Sequence, residues 1–491
     1  MVFSSLFFIC LFLPLNLAAY YICTNNKQKN VVMLIFSLIF YAWGEPKYVF
    51  LLLFMTFVCW LFATLIDKYK DTDKKKSRLF LTLACVVSLL LIGIFKYSNF
   101  LLSNVASVTG ITIPEAQISL PIGISFYTFQ LLTYVIDVYR GDAQVQKKYS
   151  NLLLYASLFH QCIAGPIVRY SDVENEILHR KPDIPDFNKG VMRFSTGLAK
   201  KVLLSNQCGA FADTLVLGDA VLSDPSLLAE NIQTLSSSSA LTLWLGMLFY
   251  MLQIYLDFSA YSDMAIGMGL MTGFHYKENF DYPYTSSTVS EFWRRWHISL
   301  GSFFRDYVYI PLGGNRKGKM RNIFNLFVVW ALTGLWHGAS WNFVLWGLYF
   351  FVFITIEKIA LQKLLKKLPA FVSHIYLLIV VFFGWVLFRF ENTEVMFTVL
   401  KGMFCIGSNP LYTHEILMYL KDNFIFIIIA VFACTPVVKT VKNIINHYSK
   451  KYQTVNIAYS AYRTVIPVIL IVLSTICLVG DSYNPFLYFR F

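Results

Sequence analysis

Runs of about twenty mostly apolar residues recur from one end of this chain to the other, and each is long enough to cross a bilayer as a helix. The candidate spans lie near residues 3–23, 31–43 with 47–66 as a hairpin, 79–102, 119–139, 239–271, 322–338, 341–357, 370–389, 424–438 and 464–480. Shorter stretches at 150–165, 191–216 and 291–312 are candidates for re-entrant or interfacial helices. The pattern predicts an all-α polytopic membrane protein with roughly ten to twelve membrane-embedded helices.

The composition agrees with a surface that faces mostly lipid. Hydrophobic residues make up 57% of the chain and charged residues 14%, whereas a soluble globular protein has roughly 25% charged residues. The net charge of +13 does not point to nucleic acid, because the basic residues cluster in short loops between apolar runs, as the positive-inside bias predicts. We therefore expect membrane lipid, and no nucleic acid, as the partner of this surface.

The charged loops also predict the orientation of the chain. Lysine and arginine are abundant in residues 25–30, 67–78, 140–150, 315–322 and 439–463, whereas residues 103–120 and 218–239 contain neither. The first group is predicted to be cytoplasmic and the second external, with the N-terminus outside as a retained first span. Residues 150–216 are left unassigned. Since no internal repeat or long polar linker is evident, we expect one integrated domain over residues 1–491.

Several familiar chemistries have no motif in this chain. The nine cysteines are scattered without a CxxC pair, which indicates small hydrophobic residues and no disulfide framework or metal site. GxSxG, HExxH, Walker and dinucleotide-binding motifs do not occur. We predict neither a bound metal nor a bound cofactor.

One polar block stands out at residues 291–319, EFWRRWHISLGSFFRDYVYIPLGGNRKGK. Its charge density is costly in hydrocarbon, so the block must face protein, a water-filled cavity or the interface. If it is helical, Arg295 and Ser299 share one face and Arg294 and His297 share another, and PLGG ends the helix. The alternative is an amphipathic interfacial helix with snorkelling arginines.

His337 lies at the end of the apolar run 323–336, in the stretch ALTGLWHGASWN. It is either a packed histidine bonded to a neighbouring helix or a reactive group. Ionisable residues inside membranes are functional candidates by default, and histidine suits proton transfer near neutral pH. Gly334 and Gly338 flank it four residues apart, which leaves a bare helix face suited to a tunnel or to close packing.

These blocks resemble the membrane-bound O-acyltransferase (MBOAT) family, specifically its alginate O-acetyltransferase (AlgI-like) branch. The resemblance runs from end to end and is carried by FYAWGEPKY (40–48), LPIGISFYTFQLLTYVIDVYRG (120–141), IAGPIVRYSD (163–172), YLDFSAYSDMAIGMG (255–269), NFDYPYTSSTVSEFWRRWHISL (279–300), FRDYVYIPLGGNR (304–316), LTGLWHGASWNFVLWGLY (332–349) and YNPFLYFRF (483–491). It implies a helix bundle around a central tunnel, with His337 as the catalytic histidine and His297 as a second active-site histidine.

The resemblance also implies a reaction. An acyl group, most simply acetyl, would pass from a cytoplasmic thioester substrate such as acetyl-CoA to an exported or cell-wall polysaccharide. The setting would be the inner membrane of a bacterium, with an extracytoplasmic SGNH-hydrolase-like partner. The candidates for binding substrate or donor are Arg294, Arg295, Arg305, Asp306, Trp336 and Asn342, the arginines through donor phosphates. Asp306 and Glu291 either orient a histidine or pair with an arginine.

Two other functions stay open on the residues alone. Within the family, the alternative is D-alanyl transfer to teichoic acid from a carrier-protein thioester. Outside it, His297 and His337 would form the proton relay of a secondary transporter, although the inverted repeats common in transporters are not evident.

Overall fold

A computed structural model of the chain describes residues 1–111, 113–114, 116, 118–162, 165–480 and 483–485. All regular elements among these residues are helical, which confirms the predicted all-α class. Two of the family-like blocks, 163–172 and 483–491, lie partly outside the described residues. The chain divides into two compact units, Met1–Leu198 with Tyr261–Glu278, and Ala199–Ala260 with Asn279–Phe491. The single domain and the central tunnel stay predictions.

The first unit contains most of the N-terminal helices. Their bounds are Phe8–Phe12 (a π-helical turn), Leu13–Ile22, Asn26–Gly44, Val49–Tyr69, Lys74–Thr109, Ile124–Arg140, Tyr149–Ser157, Tyr170–His179 and Ile184–Ala199. The longest begins where the Asp73 carboxylate accepts hydrogen bonds from the amides of Lys75 and Lys76. It ends at Gly110, whose φ of 69° is the left-handed conformation that glycine adopts at little cost.

The second unit contains the remaining helices. They are Lys200–Ser205 (π-helical), Asn206–Val216, Asp219–Leu222, Pro225–Leu227 (3₁₀), Leu228–Ser237, Ala240–Thr272, Pro283–Thr285 (3₁₀), Val289–Arg295, Ile298–Phe304, Arg305–Tyr309 (π-helical), Lys319–His337, Trp341–Ile356, Glu357–Leu361 (π-helical), Gln362–Leu365, Ala370–Arg389, Thr393–Met403, His414–Ala433, Val437–Ser449 and Gln453–Gly480. The last residues of Ala240–Thr272 belong to the first unit, and Ala199, the last residue of Ile184–Ala199, belongs to the second.

Among the described residues, seven helices are long and apolar enough to cross a membrane, which agrees with a multi-pass membrane protein. They are Val49–Tyr69, Lys74–Thr109, Ala240–Thr272, Trp341–Leu365, Ala370–Arg389, His414–Ala433 and Gln453–Gly480. The other predicted spans, near 3–23, 31–43, 119–139 and 322–338, are helices too, but they are shorter or more polar.

Two differences from the predicted elements lie between residues 414 and 449. The span expected at 424–438 begins earlier, at His414, and ends at Ala433 because Pro436 cannot continue the hydrogen bonding of that helix. The basic stretch after it was expected to be a loop, but it contains the helix Val437–Ser449. The described part of residues 150–216, which has no predicted side, contains the helices Tyr149–Ser157, Tyr170–His179, Ile184–Ala199, Lys200–Ser205 and Asn206–Val216.

The helices Lys319–His337 and Trp341–Ile356 pack closely because glycines face each other. A Cβ atom on Gly334 would lie 2.4 Å from the carbonyl oxygen of Phe343, and one on Gly347 would lie 2.4 Å from that of Trp330. Small residues allow membrane helices to approach in this way. Of the two uses expected for the bare face at Gly334, the structure therefore shows close packing, and this packing positions the end of the helix that carries His337.

Candidate active site

His297 lies at a break in the polar block. The helix Val289–Arg295 ends there and the helix Ile298–Phe304 begins, with His297 between them at φ 46° and ψ 54°. The condition of one continuous helix through residue 297 is therefore not met, and the sharing of faces that depended on it does not apply. Left-handed backbone in a residue other than glycine costs of order 1–3 kcal/mol and is concentrated at functional sites.

Asn279 holds His297 in this conformation. Its backbone oxygen accepts from the amide of Ile298 at 2.9 Å, and its side-chain oxygen accepts from the amide of Ser299 at 3.1 Å and from the Ser299 hydroxyl at 2.9 Å. The same Oδ1 lies 3.2 Å from Nδ1 of His297. Because an amide oxygen only accepts, Nδ1 carries the hydrogen, and Nε2 is the nitrogen able to take a proton.

His337 is the last residue of the helix Lys319–His337 and is only 5% exposed. Its ring makes edge-to-face contacts with Trp346, with centroids 4.9 Å apart, and with Phe388 at 5.3 Å. A Cβ atom at Gly338 would lie 2.2 Å from the ring of Phe343, so the turn after His337 requires glycine. The histidine is thereby fixed within an aromatic pocket.

Trp336 connects the two histidines. Its ring centroid lies 4.9 Å from that of His337 and 5.8 Å from that of His297. The His297 ring also contacts Phe258 edge to face, with centroids 4.8 Å apart. The structure thus brings together three of the predicted site residues, all buried, although two of them are far from the third in sequence. Such a cluster provides two imidazoles in a site from which bulk water is excluded.

Asn342 is placed beside this cluster rather than against a histidine. It is the second residue of the helix Trp341–Ile356, and its side-chain amide donates to the carbonyl oxygen of Phe388 at 3.2 Å. Phe388 in turn contacts the ring of His337. Asn342 therefore positions one wall of the pocket, and its predicted role in substrate binding stays a prediction.

The charged candidates pair with one another. Arg295 pairs with Glu291 at 2.7 Å, one helical turn away, and Arg305 donates to both carboxylate oxygens of Asp306, at 2.6 and 3.0 Å. These contacts support the expectation that the two carboxylates are arginine partners. Arg294 and Arg305 are exposed, as residues that attract a charged donor would have to be, but donor binding by the arginines stays a prediction.

Sequence reasoning missed a residue that orients the start of the His297 segment. Glu357, 3% exposed, accepts from the amide of Val289 at 2.6 Å and from the amide and hydroxyl of Ser290 at 2.9 and 2.8 Å. A carboxylate at a helix N-terminus satisfies free amides and favours the helix dipole. Since Glu357 lies far away in sequence, no local pattern identifies it.

A second polar cluster in the same unit was also missed. Lys201 and Asp257 form an ion pair at 2.7 Å with side chains 3% and 2% exposed. Arg389 pairs with Asp213 at 3.0 Å, and the hydroxyl of Tyr483 donates to the other Asp213 oxygen at 2.6 Å. Buried charges need such partners. In the sequence, the charged residues of this cluster are visible only as charges within otherwise apolar runs.

Comparison with known proteins identifies the relatives of this chain. The model of the MBOAT, membrane-bound O-acyltransferase, family matches residues 35–400. A protein of Azotobacter vinelandii described as a probable alginate O-acetylase AlgI is 35% identical over 518 aligned positions, covering 100% of both chains. The resemblance inferred from the sequence blocks is therefore confirmed.

Two further relatives are named for a different acceptor polymer or a different transferred group. The peptidoglycan O-acetyltransferase of Helicobacter pylori is 29% identical and covers 100% of this chain and 98% of its own length. The teichoic acid D-alanyltransferase of Bacillus subtilis is 28% identical but covers 55% of this chain and 67% of its own. Similarity to the two O-acetylating relatives thus extends over the whole chain, whereas similarity to the D-alanylating one is partial.

Proposed function

Because the chain belongs to the membrane-bound O-acyltransferase family and is an O-acyltransferase, we propose that it moves an acetyl group from a cytoplasmic thioester to an exported or cell-wall polysaccharide. Relatives that match the chain from end to end are named for O-acetylation of alginate and of peptidoglycan. The donor is a substrate such as acetyl-CoA. The proposed setting is the inner membrane of a bacterium, with an SGNH-hydrolase-like protein as the external partner.

The observation that supports the chemistry is the buried contact of His297 and His337 with one tryptophan ring. His337 acts as general base: it takes the proton of the acceptor hydroxyl as the oxygen attacks the thioester carbonyl carbon. The carbon–sulfur bond then breaks, and the departing thiolate receives that proton from His337. General base catalysis by a positioned histidine contributes typically 10²–10⁴-fold in rate.

In this scheme His297 donates a hydrogen bond to the carbonyl oxygen of the thioester. When the tetrahedral intermediate forms, negative charge develops on that oxygen, and a positioned donor lowers the barrier. The donor requires a hydrogen on the nitrogen that faces the oxygen. Because Nδ1 is held by Asn279, that nitrogen is Nε2, and the proposed role requires Nε2 to hold a proton during the reaction. The arginines of the same block attract donor phosphates from the cytoplasmic side.

The test is His337→Ala in a strain that carries no other copy of the gene. Loss of O-acetyl groups from the surface polysaccharide, measured by mass spectrometry, is expected while the variant inserts and purifies like the wild type. The matched control is His414→Ala, because His414 is exposed at the start of a helix. Acetylation retained by His337→Ala would exclude the base assignment.

The same measurement separates acetyl from D-alanyl transfer. The mass of the ester group released from the polymer by mild alkali identifies which group was attached. D-alanine on teichoic acid that disappears with the gene would replace the acetyl proposal, whereas loss of acetate alone would support it. The partial similarity to the D-alanyltransferase favours acetate.

A further inference from the structure

The helix Val437–Ser449 connects two helices that qualify as membrane spans, His414–Ala433 and Gln453–Gly480. Its apolar side chains are all exposed; they are Val437, Val438, Val441, Ile444, Ile445 and Tyr448. At about 100° per residue they fall within an arc of roughly 120°, which is the apolar stripe of an amphipathic helix. An exposed stripe of this kind on a connection between two spans lies where the bilayer meets water.

The charge of this region indicates what covers the stripe. Residues 434–480 contain Lys439, Lys442, Lys450, Lys451 and Arg463, and no aspartate or glutamate. Lys450 and Lys451 are exposed just after the helix ends, and Lys439 lies 3.4 Å from Asp281 in a half-exposed pair. The region therefore presents an apolar surface within a segment that is rich in basic residues and contains no acidic ones.

We propose that the helix Val437–Ser449 lies in the plane of the bilayer interface and binds anionic phospholipid. Its apolar stripe inserts at the boundary of the acyl chains, and its lysines contact headgroup phosphates. Amphipathic helices with basic polar faces bind membranes in this way. Each lysine near an anionic surface contributes roughly five-fold to binding. Residues 439–463, which overlap this helix, are predicted to be cytoplasmic because of their charge.

The test uses the full-length protein reconstituted in vesicles of phosphatidylcholine, with or without phosphatidylglycerol. Hydrogen exchange of residues 437–449 is followed by mass spectrometry, because binding slows the opening of a marginal helix. Exchange is expected to be several-fold slower in the anionic vesicles. Raising the salt to about 1 M, where charges are screened beyond ~3 Å, should remove most of this difference.

Two variants distinguish an effect of the lysine charges from an effect of the helical fold. Lys442→Gln/Lys450→Gln/Lys451→Gln keeps the apolar stripe and helix propensity, and it should bring exchange in the two vesicle types close to equal. Lys366→Gln/Lys367→Gln neutralises exposed lysines elsewhere and should leave the difference unchanged. Equal exchange of the wild type in both vesicle types would overturn the proposal. The proposal would also be overturned if the protection from exchange did not depend on lipid charge but increased with the amount of protein per vesicle. A second copy of the chain would then cover the stripe.

Discussion

At the scale of single residues, His297 depends on one side chain outside its own segment. Asn279 is fully buried, and its oxygens hold the amides of residues 298 and 299 as well as the ring of His297. The left-handed backbone at His297 persists because these bonds offset its cost. Asn279 is thus a positioning residue for the proposed reaction.

Asn279→Ala is expected to lower acetyl transfer about 100-fold, since a displacement of ~1 Å at a reacting group costs this much. Ser299→Ala removes the hydrogen bond from the Ser299 hydroxyl to Asn279 but keeps the contact between Asn279 and His297. The loss of acetyl transfer should therefore be smaller. The decisive measurement is the rate of Asn279→Ala/His297→Ala. If Asn279 acts through His297, the double variant is no slower than His297→Ala, and multiplying losses would contradict the role.

His275 is a titratable residue with a structural role outside the spans. Its Nδ1 lies 2.7 Å from Glu176 and its Nε2 lies 3.0 Å from Asp186, so it links the helices Tyr170–His179 and Ile184–Ala199. The hydrogen bond with Asp186, supported by that with Glu176, raises the pKa of His275 above its usual 6.5 in spite of partial desolvation. Lys189 and His275 hold the pKa of Asp186 below its usual range.

This pair of contacts predicts a pH dependence of stability. The folded pKa of His275 is above the unfolded value, so its contribution is complete below about pH 6.5 and is lost as the pH rises through the raised pKa. The melting temperature of the wild type should therefore exceed that of His275→Gln by more at about pH 6 than at about pH 8. Lys277→Gln, which removes an exposed pair with Asp172, should show a difference that does not change with pH.

At the scale of helices, the second unit contains buried charged residues within mostly apolar segments. Lys201, in the π-helical turn Lys200–Ser205, meets Asp257 in the long helix Ala240–Thr272, and it also donates to the carbonyl oxygen of Pro485. π-helical turns within α-helices are frequent at functional sites. Here the turn directs a lysine toward both a neighbouring helix and the C-terminal segment.

Lys201→Met is expected to destabilise the protein by about 3–5 kcal/mol, because it removes the cation that faces a buried carboxylate. Lys201→Met/Asp257→Leu should recover much of this loss, since both charges are then absent. Lys200→Met, which removes the neighbouring lysine and its bond to the Ser259 hydroxyl, serves as the control. Thermal unfolding of the purified variants gives the comparison, and a double variant as unstable as Lys201→Met would argue against the ion pair.

At the scale of the whole molecule, the apolar helices and the charged loops together predict a topology. Residues 67–78 should face the cytoplasm and residues 218–239 the outside, because positive loops stay on the cytoplasmic side. The structure has helices of sufficient length between charged segments, and the orientation itself stays a prediction.

Cysteine labelling tests this orientation. Ser226 and Lys74 are exposed, so each can be replaced by cysteine after the exposed Cys10, Cys405 and Cys477 have been changed to serine. A maleimide that cannot cross membranes should label Ser226→Cys in intact cells and Lys74→Cys only after the cells are opened. The reverse pattern would contradict the predicted topology.

The sequence by itself determined the family, the all-α class, most of the apolar helices and the two histidines, because these depend on composition, local periodicity and short motifs. The tertiary structure decided the break at His297, the role of Asn279 and the meeting of both histidines at Trp336. It also decided the burial of Lys201 against Asp257 and the helical form of residues 437–449. The physical reason is distance along the chain. Apolar runs are local, whereas the hydrogen bonds that Asn279 and Glu357 accept join residues that are separate in sequence and leave no local pattern.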